Sequence, residues 1–169
     1  MSDRDIRNPG EMNKKGGVAF AIFLSLLLSF FSAQTSHAGL FGPSADTKKN
    51  VATIKKLAVT ETRLLNRYNA VTGANYKDDY TTGYALIDLL PDVNNFINRL
   101  ESLSPQDAKL QAAVNLWVDG WNKQAEGISL CIDAIDKQDY SVMARANAKL
   151  SEGRKILRRA NQALSPFLK

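Results

Sequence analysis

Histidine and cysteine are almost absent from this chain, with one of each among its 169 residues. Cys131 stands alone, so no disulfide can close within the chain and stability must come from packing. The lone histidine, His37, falls inside the apolar stretch "VAFAIFLSLLLSFFSAQTSHAGLFG" of residues 18–42. Once that stretch is removed, no histidine remains. Ser–His and Cys–His nucleophilic pairs, HExxH zinc sites and the Glu-x-x-His pairs of di-iron bundles are then excluded. A c-type haem needs C-x-x-C-H and is excluded with them. The phosphate-binding patterns G-x-x-x-x-G-K-[ST] and G-x-G-x-x-G are missing, as is the D-x-[DN]-x-[DN]-G calcium loop. Carboxylates, lysine and tyrosine alone would have to carry any catalysis. The composition therefore reads as no enzyme, with no cofactor and no metal.

Long apolar runs are scarce too. The one that exists, Val18–Ala33, is interrupted by Ser25, Ser29 and Ser32. It falls short of the roughly 20 apolar residues of a spanning helix. Lys14 and Lys15 flank it on one side, and the small residues Ser36 and Ala38 precede Gly39 on the other. That is the arrangement of a secretory signal with its cleavage site. Residues 1–38 are read as a leader cut near Ala38–Gly39, and residues 39–169 as one domain. Met12 is the expected start, because "MNKKGGVAF" makes a compact basic leader; Met1 is the longer alternative. The expected location is periplasmic or secreted. An uncleaved leader would instead anchor the chain in the inner membrane through Val18–Ala33.

Charge is modest. The chain carries 22 Lys and Arg against 17 Asp and Glu, of which the leader takes four and three, leaving +4. That excess is too small to imply nucleic acid as a partner.

Strand patterns are absent, and what remains is helical periodicity. A first helix is expected over about Asp46–Val71, stopped by Gly73. Its apolar stripe is Val51, Ile54, Leu57, Ala58, Leu64, Leu65, Tyr68 and Val71, broken by Glu61. The loop "GANYKDDYTTG" follows, and Tyr84–Leu103 reads as a second helix with a kink or break at Pro91. "SPQD" reads as a helix start, with Ser104 as the cap. The third helix places Leu110, Val114, Trp117, Trp121, Ile128, Cys131 and Ile135 on one seam, with Gln124 as its polar exception. That seam turns Cys131 toward the core. Asp139 is expected to cap a fourth helix carrying Met143, Ala146, Leu150, Gly153, Leu157, Ala160 and Leu164. Short connections between amphipathic helices give an all-α, up-down-up-down antiparallel four-helix bundle.

The polar exceptions are the candidate site. Counting about three turns inward from one end brings Glu61, Gln124, roughly Leu150–Gly153 and the Pro91–Asn94 segment to a common depth. They could form a small-ligand pocket walled by Trp117 and Trp121. The same residues also fit a structural polar layer that fixes helix register, or a Glu61 that simply leans to solvent. The two tryptophans, four apart on one face, read as core anchors. Tyr76, Tyr80 and Tyr84 recur every fourth residue beside Asp78 and Asp79, as an aromatic edge or a loop over the end of the fold. From Arg145 onward the chain is strongly basic, with Lys155, Arg158 and Arg159 expected to face outward. These three are candidates for contact with an anionic membrane surface, an anionic glycan or an acidic partner, or they complement the helix C-terminus. Taken together, the residues imply an exported, non-enzymatic domain acting through protein or envelope contacts. A small-ligand carrier or sensor is the alternative.

Overall fold

The structure, a computed structural model, describes residues 44–169; the leader, its cleavage site and His37 lie outside the described residues. The fold among them is all-helical, with four closely packed helices. No helix there is long and apolar enough to cross a membrane.

α1 spans Ala45–Asn69, and Ser44 caps it by accepting from the Thr47 amide. It stops before Val71, and Gly73 takes a left-handed φ of 61° in a following 3-10 turn. α2 spans Asp79–Glu101 and begins five residues earlier than the periodicity predicts. Asp78 caps it, and the early turn is held by tertiary contacts. Thr82 donates to the Val71 carbonyl, and a Cβ on Gly83 would stand 3.3 Å from Ile135. α2 also runs unbroken through Pro91. Pro91 and Ile87 both face solvent, so water can reach the Ile87 carbonyl that proline leaves without a helical donor.

α3 spans Ala108–Lys137. Its cap is Asp107 rather than Ser104: the Asp107 carboxylate accepts from the amides of Lys109 and Leu110 at 2.9 and 3.0 Å. The residues before it serve another purpose. Pro105 is buried, and the Gln106 amide donates to Asp46 at the start of α1, fastening that end of the fold. α4 spans Tyr140–Leu164, capped by Asp139 as its sequence indicates. The corner between α3 and α4 turns on Gln138, whose φ of 52° is left-handed.

α3 and α4 approach very closely. A Cβ on Gly120 would lie 2.7 Å from the Leu157 side chain, and one on Gly127 2.6 Å from Leu150. Glycine at these two positions leaves room for leucine, so the two helices approach closely there. The interior is filled by Ile54 and Leu57 of α1, Leu86 and Phe96 of α2, Trp117 and Trp121 of α3, and Leu150 and Leu157 of α4. Cys131 is buried among them at 1 % exposure. The expected seams hold with local shifts. Val142 is buried where Met143 was expected, and Ile135, Leu90, Val51 and Val71 are half-buried.

Candidate functional site

Glu61 is the one carboxylate in the core, at 9 % exposure. It occupies the core stripe of α1, one turn after Leu57 and before Leu64. Two donors from α3 meet it: the indole nitrogens of Trp117 and Trp121 donate to the same oxygen, Glu61 Oε1, at 2.9 and 2.8 Å. Their four-residue spacing puts both indoles on one face, which lets a single acceptor serve both. Phe96 of α2 packs edge-on against each ring, with centroids 5.7 and 5.1 Å away. Edge-on packing of this kind fixes ring orientation as well as filling space.

The electrostatics follow from this burial. Removal from water disfavours the charged form and raises the Glu61 pKa above its ordinary value, while the two indole N–H groups pull it back part of the way. Among the described residues, no cationic side chain pairs with Glu61. In either protonation state the carboxyl group keeps an oxygen that can accept from the indoles.

Gln124 does not join Glu61. Its amide donates to the Leu150 carbonyl of α4 at 2.9 Å, and a Cβ on Gly153 would come within 2.5 Å of its nitrogen. The anticipated polar layer therefore resolves into two separate devices. One ties α1 to α3, the other α3 to α4. Pro91 and Asn94 face solvent and contribute to neither.

The tryptophans are core anchors, at 1 % and 2 % exposure. Tyr80 and Tyr84 form an exposed pair with ring centroids 4.5 Å apart, and Ile87 continues their surface. Tyr76 leaves the row: it is half-buried and donates to Asp79 at 2.7 Å. Lys155, Arg158 and Arg159 are exposed, as their register requires. Burial pushes the Cys131 thiol up to about 12, so it stays protonated. An open groove of about 350 Å³ over Leu130, flanked by the ion pair of Lys149 and Glu126, includes none of the sequence candidates. Among the described residues, no group of three or more His, Cys, Asp or Glu side chains is placed to hold a metal ion.

The sequence reading missed two things. Glu61 and the tryptophans were assigned to one pocket without being recognised as each other's partners. The cations of α1, namely Lys48, Lys49, Lys55 and Lys56, are all exposed and went unremarked beside those of α4. Their seven-residue spacing, Lys48 to Lys55 and Lys49 to Lys56, was the available signal. Comparison with protein-family models, with curated proteins and with solved structures returned no match.

Proposed function

We propose that this chain is an exported, non-enzymatic domain that works through contact with a protein or cell-envelope surface, its helices arranged as an up-down-up-down antiparallel bundle. The observation that carries the reading is the internal use of the best candidate site. Glu61 Oε1 already accepts from both indoles, and Gln124 is engaged by α4. The groups that a small-ligand carrier would offer are spent on holding helices together. Recognition then falls to the outer surface, where the Tyr80–Tyr84–Ile87 cluster and the basic α4 face are solvated.

The arrangement has its own support. Gly120 meets Leu157 while Gly127 meets Leu150, and Arg67 meets Asp88 while Val71 meets Thr82. In each pair, rising numbers on one helix meet falling numbers on the next. Export rests on Lys14, Lys15, Val18–Ala33 and the small residues before Gly39. Retention of that leader would hold the same domain on the inner membrane.

A photo-cross-linking amino acid at Tyr84, installed in the producing host, tests the reading. The expected result is a discrete macromolecular adduct in the envelope fraction. Absence of any adduct at Tyr84 or Lys155, with a small molecule copurifying instead, would favour the carrier.

A further inference from the structure

Charge on this domain is sorted along its length. Asp46 at the start of α1 accepts from Gln106, between α2 and α3, so these segments share one end. The last turns of α4 belong to that end as well, because Leu157 packs at Gly120 while Leu150 packs at Gly127. α1 carries exposed Lys48, Lys49, Lys55 and Lys56 there, and α4 carries exposed Lys155, Arg158 and Arg159. Among the described residues, none of the seven has an ion-pair partner. Arg154 of α4 also lies within electrostatic range of the Tyr68 hydroxyl of α1.

The opposite end has the reverse character. Asp78, Asp79, Asp136 and Asp139 gather where α2 begins and α3 turns into α4. Gln138 of that corner donates to Asp79, which shows the two segments in contact. Cations that do make ion pairs lie away from the basic end, among them Arg67 with Asp88 and Asp92, and Lys137 with Asp133. The molecule is thus electrically polar: the basic end also holds Asp46, Glu101 and Asp107, but its cations outnumber them.

We propose that this basic end docks the domain end-on against an anionic phospholipid surface. The proposal rests on the envelope-contact reading above and names its partner. Three observations favour a bilayer. The cations are spread over exposed positions of two helices, which suits a broad field of headgroups better than one bidentate acceptor. The acidic end points away, so the field of a negative surface both attracts and orients the domain. Finally, α1 begins at the basic end, so the chain from Val18–Ala33 enters there. In a chain that still carries its leader, the stretch from Ala33 to Ala45 extends at most about 40 Å, which keeps this end near any membrane the apolar run engages before it is cut away.

Sedimentation of the full chain with vesicles tests the proposal. Vesicles of phosphatidylcholine alone report insertion of the apolar run, and vesicles with about one-third phosphatidylglycerol add the surface charge. Binding should be stronger to the anionic vesicles, and that excess should vanish near 0.5 M salt, roughly, where screening is nearly complete. Neutralising α1 (Lys48, Lys49, Lys55 and Lys56→Gln) or α4 (Lys155, Arg158 and Arg159→Gln) should each cut the excess by about tenfold or more. A control at the far end (Lys77, Lys137 and Arg145→Gln) should change it much less. Circular dichroism should show all variants folded, since every replaced side chain is exposed or nearly so.

No excess on anionic vesicles, or equal losses from the far-end control, overturns end-on docking. Loss from the α4 set alone overturns the shared two-helix surface. Self-association at low salt that is abolished by either set, without vesicle binding, would assign the basic end to the acidic end of a second copy instead. A Tyr84 adduct that persists in variants blind to vesicles would leave the wider contact reading standing while this proposal fails.

Discussion

Replacing Glu61 separates its two properties, acceptor and charge. Glu61→Leu removes the acceptor and leaves two buried indole N–H groups without partners. Each orphaned donor costs about 1–3 kcal/mol, so the summed penalty is about 2–6 kcal/mol before any relief from removing a buried carboxylate. Glu61→Gln keeps an acceptor oxygen at nearly the same place and removes only the ionisation. The pH dependence follows from the raised pKa in the folded state. The folded protein binds this proton more tightly than the unfolded chain does. Its contribution to stability is therefore fullest below the ordinary carboxylate value, and it declines as pH rises through the folded pKa. Urea unfolding of wild type and both variants between pH 4 and pH 8, roughly, measures this. Trp117 and Trp121 are the only two tryptophans, so their fluorescence reports the site directly. The Glu61→Gln variant should gain on wild type as pH rises, whereas Glu61→Leu should show its largest deficit at low pH. A Glu61→Leu protein as stable as wild type at low pH would refute the assigned hydrogen bonds. A constant gap between wild type and Glu61→Gln would refute the burial argument.

Other outcomes follow from local geometry. Gly127→Ala should destabilise the domain by about 1–3 kcal/mol in thermal melts, because the new Cβ would meet Leu150 at 2.6 Å and outweigh the better helix propensity of alanine. Asp107→Ala should cost about 1 kcal/mol in the same assay through loss of the α3 cap, while Ser104→Ala should leave the melting temperature nearly unchanged. Cys131 should resist a thiol reagent in native buffer and react with one equivalent in denaturant; rapid native labelling would place the thiol outside the core.

Much of this fold was legible because apolar spacing and burial are the same physics. Leu110, Val114, Trp117, Trp121, Ile128 and Cys131 formed a seam on paper and form one in the core. What escaped the sequence depends on contacts between distant segments. The first turns of α2 contain Thr81, Thr82 and Gly83, weak helix formers, and they become helical where Thr82 reaches Val71 and Gly83 admits Ile135. Ser104 looked like a cap by position, but Gln106 is drawn to Asp46, and Asp107 is left to cap the helix. Glu61 was identifiable as an exception on its stripe. Its partners were not, because periodicity gives the face of a residue and only coarsely its depth. A one-turn error in depth was enough to merge the Glu61–tryptophan device with the Gln124–Leu150 device.

The proposed function requires that the leader be removed and that the interior be closed by its own side chains. Native mass spectrometry of the protein isolated from its host's envelope fraction tests it most directly. The expected result is a bare mass for residues 39–169, with no small molecule bound. A mass that includes Val18–Ala33 would contradict cleavage of the leader. A reproducible small-molecule adduct, lost in Glu61→Gln, would contradict the closed interior and make the core of this domain a binding site.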